Sequence, residues 1–182
     1  MILRLEREHF ALALARTDQL LGSLPTGAHW LSGSEQKRLG TLNHAGRRTE
    51  FLLGRWLLRS LYAARFGGTP EDWPLREQPQ LPPVPERDAE FPFLSISHGG
   101  GFIAAAAARQ AIGVDVESSR RELPAEIFEP LFRHAPASVA ERLEYWVATE
   151  AFLKQQTLPA HTDTIRRHAL SPSAGHARVR LR

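Results

Sequence analysis

Asp115 and Glu117 stand one residue apart in an apolar frame, Ile112-Gly113-Val114-Asp115-Val116-Glu117, and are the residues of this chain best placed to do chemistry. Apolar and polar residues alternate there with the period of a half-buried strand. On a strand, residues i and i+2 share a face, so the two acids point the same way while Val114 and Val116 point toward a core. Neighbouring carboxylates repel, and one keeps its proton unless a cation stands between them. Hard divalent ions such as Mg²⁺ take oxygen ligands of this kind, with substrate phosphates completing the shell. An edge strand showing two solvated acids fits the same pattern, and the pair alone leaves both readings open.

Upstream, Ser97 and His98 run into Gly99-Gly100-Gly101. Glycines supply positive φ in a hairpin connection, and they also let backbone N–H groups approach an anion, to which serine and histidine add donors. Downstream, Ser138 with Glu141 three residues later has the spacing of a capping box opening a helix. Laid out at 100° per residue, that helix gathers Leu143, Trp146, Val147, Ala151 and Leu153 on one side, with Glu150 and Lys154 in the middle of it. A Glu–Lys pair in an apolar stripe is costly unless paired, hydrogen-bonded or bound to something, and a functional role is favoured over a snorkelling lysine. Of 23 basic residues only Lys37 and Lys154 are lysines. An ammonium that can give up a proton differs from the fixed guanidinium fork.

Taken in order, Ser95-Ile96-Ser97-His98, then Ile112-Gly113-Val114-Asp115-Val116-Glu117, then Trp146-x-x-x-Glu150-Ala151-x-x-Lys154 resembles the 4'-phosphopantetheinyl transferases of the Sfp-like, pseudo-dimeric branch. A looser likeness covers Phe51 to Arg59, and the resemblance spans roughly residues 31–156. It implies an α+β fold of two similar halves related by a pseudo-twofold, each a helix packed on a small antiparallel sheet. Residues 1–118 would form the N-terminal half and 119–182 a C-terminal half, abbreviated because only 28 residues follow Lys154.

The activity it implies is of the holo-[acyl-carrier-protein] synthase type. The 4'-phosphopantetheine arm of coenzyme A moves to a serine of an apo acyl-, aryl- or peptidyl-carrier protein, with release of 3',5'-ADP. By the same resemblance Asp115, Glu117 and Glu150 would hold Mg²⁺, and Glu150 would take the proton of the carrier serine. Lys154 would neutralise the pyrophosphate or protonate the leaving phosphate. Ser97 and His98 would lie against the nucleotide phosphates, with Arg48, and then Arg38, Arg47 and Arg55, as further phosphate contacts. The chemistry is coherent: a hydroxyl attacking a diphosphate builds charge that a metal ion and fixed cations stabilise while a carboxylate takes the proton.

Three departures weaken the likeness. Thr149 and Gln78 stand where the motifs carry lysine, and Glu50 where the first helix carries arginine. Thr149, Gln78 and the short stretch after Lys154 motivate an alternative: a relative that binds coenzyme A or a carrier protein without transferring efficiently. A third reading, a basic nucleic-acid-binding protein, needs a clustered arginine face, and the acids are interspersed instead.

The elements that must position these residues are partly legible. Thr49–Phe66 reads as a helix with Phe51, Leu57, Leu58 and Leu61 on one side, Gly54 permitting close packing, and Arg59 on a solvated face. Phe10–Ala15 is strand or short helix, Ser34–Gly40 a brief helix, and the alanine run 104–108 a strand. Residues 67–91, with the prolines that follow Gln78, read as mobile surface loop. Residues 118–124 join the halves, 126–132 are helical, and Thr164-Ile165 and 179–182 are strand-like. The chain of 182 residues is a single unit with net charge +3 and no cysteine, which excludes thiol catalysis and cysteine-ligated zinc. With no membrane-spanning run and no signal-peptide pattern, it is expected to be a cytoplasmic monomer that meets acidic carrier proteins.

Overall fold

The first-half helix forms from Ala45 to Phe66 (α3), and the rest of that half assembles against it. The computed structural model describes residues 2–124, 126, 128 and 138–156. In chain order they form β1 (Ile2–Glu6), β2 (Phe10–Arg16), α1 (Thr17–Leu21), α2 (Gly33–Gly40), α3, a single 3-10 turn (Pro70–Asp72), β3 (Leu75–Gln78), β4 (Leu81–Pro85), β5 (Phe93–Gly99), β6 (Phe102–Ala108) and α4 (Val139–Gln155). The fold is α+β. Its main sheet is antiparallel in the order β1-β2-β6-β5, and β3 and β4 form a separate hairpin.

Alanine is the best helix former, yet 104–108 lie in β6, the strand between β2 and β5. Burial on both faces overrides that preference. Ala105, Ala107 and Ile103 enter the core under α3 with Leu53, Leu57, Leu58 and Leu61, all buried, and Ile103 and the four leucines each contribute about 1.5–3 kcal/mol. Ala104 and Ala106 face the other way, into a second cluster with Leu14 and Val114. Small side chains let cover come close on both sides. A Cβ on Gly54 would lie 2.9 Å from Ile96 Cγ2, so α3 sits directly on β5 as its glycine suggested.

Arg59 is not solvated. It is wholly buried and forms an ion pair with the equally buried Glu35, at the N-terminal capping box of α2. Arg55, the next arginine on α3, bonds Glu77 of β3 at 2.7 Å. This network ties α2, α3 and β3 together.

Residues 67–91 also differ from the expected mobile loop. Trp73 stacks on Tyr62 with ring centroids 5.1 Å apart, Phe91 meets Phe66 edge-on at 5.3 Å, and the Tyr62 hydroxyl donates to the Phe91 carbonyl. Aromatic area anchors the segment where proline limits backbone pairing.

No helix among the described residues is long and apolar enough to cross a membrane. Of the expected second half the described residues hold α4. The strands expected at 164–165 and 179–182 lie outside them, as does most of the helix expected at 126–132.

Candidate functional site

Segment 112–117 runs beside β5 but is not a strand, contrary to its alternation. The physical reason lies in β5. Ser95 and Ser97 turn their hydroxyls toward the segment, where Ser95 Oγ accepts from Val114 N at 3.1 Å and Ser97 Oγ from Val116 N at 3.3 Å. Side-chain oxygens thus satisfy N–H groups that a neighbouring strand's carbonyls would otherwise take. The inward turn of Val114 and Val116 holds: Val114 is buried and Val116 packs on the second cluster.

Helix α4 opens at the expected capping box, with Ser138 Oγ accepting from Glu141 N and Glu141 accepting from Ser138 N. It docks on the segment through Gly113, where a Cβ would overlap the Ala151 carbonyl oxygen. Gln155 Nε2 also donates to the Ala111 carbonyl at 3.1 Å. Gly113→Ala is therefore expected to push α4 away, lowering stability by about 1–3 kcal/mol. Urea unfolding checks this, with an unshifted midpoint counting against the contact.

That docking turns Lys154 onto the acids. Its Nζ lies 2.6 Å from Asp115 Oδ1 and 3.0 Å from Ser97 Oγ, and Ser97 Oγ donates to Asp115 Oδ1 at 2.6 Å. Glu117 pairs instead with Arg121, whose guanidinium stands over the Trp146 ring at 5.6 Å. Glu150 is half-buried, and burial first, then the charges of Asp115 and Glu117, push its carboxyl above the usual range. These side chains, with Ile96, His98 and Val116, line a cleft of about 270 Å³.

The donor set, three carboxylates from one segment and one helix, suits a hard cation such as Mg²⁺ in chemistry. In geometry it differs from the expected metal centre. Among the described residues no three acids or histidines are grouped to hold a metal ion; Lys154 pairs with Asp115 and Arg121 with Glu117. Asp115, Glu117, Glu150 and Lys154 do share one cleft.

Ser97 Oγ is engaged within the acid cleft. A hydroxyl has one proton and two lone pairs, and Asp115, Lys154 and Val116 N engage them all. His98, one residue on, belongs to the opposite sheet face. There it approaches α3: Nδ1 lies 3.4 Å from Glu50 Oε1 and Nε2 lies 3.5 Å from Arg47 Nη1. A second cleft of about 390 Å³ opens on that side, lined by Arg38, Arg47, Arg55, Glu50 and Phe51, and shares Ile96 and His98 with the first. Arg48 is not among its lining residues. It donates to the Leu39 and Leu42 carbonyls at 2.7 and 3.2 Å, closing the C-terminal end of α2.

The triple glycine is a hairpin turn. Gly99 pairs with Phe102, Gly100 and Gly101 have φ of +57° and +81°, and Cβ atoms on Gly99 and Gly100 would meet residues 116–118. It serves the passage of the acid segment across the turn.

Arg121 was missed from the sequence, hidden in what read as a joint. Its i+4 spacing from Glu117 was the available signal. The chain matches no protein-family model, and no curated protein matches it.

Proposed function

We propose that this protein is a cytoplasmic, Mg²⁺-dependent phosphopantetheinyl transferase that modifies a serine of an acidic apo-carrier protein, with coenzyme A as donor. One observation carries the reading: an acid cleft with three carboxylates and an inward-turned lysine meets a basic cleft across the end of β5. A diphosphate ester needs both, with its reacting phosphorus at the acids and its nucleoside among the arginines.

In this reading Asp115, Glu117 and Glu150 would hold the metal ion, which would supply charge neutralisation at the diphosphate. Glu150 accepts the proton of the carrier serine; a carboxyl raised above its usual range is a better base than an ordinary one. The serine oxygen forms a bond to the phosphorus of the pantetheine phosphate, and the bond from that phosphorus to the bridging oxygen breaks. Lys154, whose Nζ lies 2.6 Å from Asp115 Oδ1 in the cleft, would neutralise the oxygen that leaves with the nucleotide. Ser97 holds Asp115 and Lys154 in register. Arg121 brings a second cation to the cleft, whereas Thr149 is buried outside its lining and supplies none.

The test is mass spectrometry of several apo-carrier proteins incubated with this protein, coenzyme A and Mg²⁺. A gain of one phosphopantetheinyl group supports transfer, and no gain on any carrier rejects it. Binding of coenzyme A without any gain would favour the non-transferring relative. Independently of activity, Mg²⁺ is expected to raise the melting temperature of the wild type and to do so less for Glu150→Gln. Equal shifts would remove Glu150 from the metal site.

A further inference from the structure

Glu50 is the anomaly of the basic cleft. It is a carboxylate set among Arg38, Arg47, Arg55 and His98 on the side where the nucleoside of a diphosphate donor would lie. Its Oε1 faces His98 Nδ1 at 3.4 Å and its Oε2 lies 3.6 Å from Arg47 Nη1. Neither is a tight charge-assisted bond, and Oε2 has no hydrogen-bond donor. Arg55 is already committed to Glu77, and Arg38 approaches only the Thr41 hydroxyl at 3.4 Å. Arg47 and His98 therefore face a negative charge, beside an acceptor that lacks a donor among the described residues.

A phosphate monoester entering here would bring negative charge against Glu50 and would have to take Arg47 and His98 from it. A ribose hydroxyl would instead donate to the carboxylate. Dinucleotide sites use the same physics, an acid accepting from a ribose hydroxyl where an arginine would accommodate a ribose phosphate. We propose that Glu50 makes this cleft selective for a nucleotide donor with free ribose hydroxyls over one carrying a ribose phosphate. Resting on the reading above, this means 3'-dephospho-coenzyme A is preferred to coenzyme A. The transfer balances in the same way: the serine oxygen–phosphorus bond forms, the phosphorus–bridging oxygen bond breaks, Glu150 takes the proton and AMP leaves.

Titration calorimetry of the full chain with each of the two compounds tests this, in wild type, Glu50→Gln and Glu50→Arg, with a melting curve for each to confirm folding. The wild type is expected to bind 3'-dephospho-coenzyme A about tenfold more tightly, since like charges brought together weaken binding by at least that factor. Glu50→Gln should narrow the ratio and Glu50→Arg reverse it. Equal or tighter binding of coenzyme A by the wild type, or a ratio unmoved by Glu50→Gln, overturns this selectivity and leaves the transferase reading standing. Binding of neither compound overturns both.

Discussion

Asp115→Asn is expected to slow carrier modification by at least about 10³-fold while the sheet and helices stay folded. Asp115 holds the acid cleft together. Its side chain is only 8% exposed, and its Oδ1 takes both the Lys154 ammonium and the Ser97 hydroxyl at 2.6 Å. Asparagine preserves the shape and removes the charge, so the ammonium loses its counter-ion and the proposed metal site loses one oxygen donor. Loss of a single electrostatic group aimed at developing charge costs about 10²–10³ in rate, and a lost metal ligand adds to that. Stability should fall by only about 1–3 kcal/mol, the size of a charge-assisted hydrogen bond, because Lys154 can turn back toward water. The rate is read from the mass of the carrier protein against time, and folding from the melting curve. A rate within about threefold of the wild type would remove Asp115 from the chemistry.

The second large effect is on the fold. Arg59→Met should destabilise the protein by about 3–5 kcal/mol, because it leaves Glu35 buried and charged with only the Arg55 guanidinium, 3.7 Å away, to face it. Burial already pushes the Glu35 carboxyl above its usual range in spite of Arg59 and Arg55. A carboxyl raised on folding binds more protons folded than unfolded, so its contribution to stability grows as pH falls and is lost as pH rises through the folded value. The variant lacks the Arg59 charge, which widens that difference. Its deficit should therefore be smaller near about pH 5 than near pH 8.

Adding Glu35→Gln should recover most of the loss, since glutamine keeps the capping box that Glu35 closes on Ser32. Denaturant unfolding at both pH values checks this. A single variant as stable as the wild type would show that the pair contributes nothing.

These two residues mark different degrees of legibility. Asp115 stood out because its neighbours alternate and a capped helix with an inward Glu150 and Lys154 follows, all of which are local patterns. Arg59 was misplaced because a charged residue on a helix reads as solvated unless its partner is known. That partner, Glu35, lies on another helix, and no periodicity in α3 reveals it. The prolines of 67–91 likewise argued for a free loop, while the contacts of Trp73 and Phe91 with α3 that anchor the segment arise only on folding.

By itself the sequence determined the long helix, the capped start of α4 and the glycine turn, because each depends on residues within a few positions of one another. Tertiary structure alone decided their pairing. It put Lys154 on Asp115 and Arg121 on Glu117, spent Ser97 inside the site, and sent His98 to the other face of β5. The reason is physical: hydrogen-bond capacity and charge are allotted among whichever groups packing brings within reach, and packing joins residues 57 positions apart, as in Ser97 and Lys154.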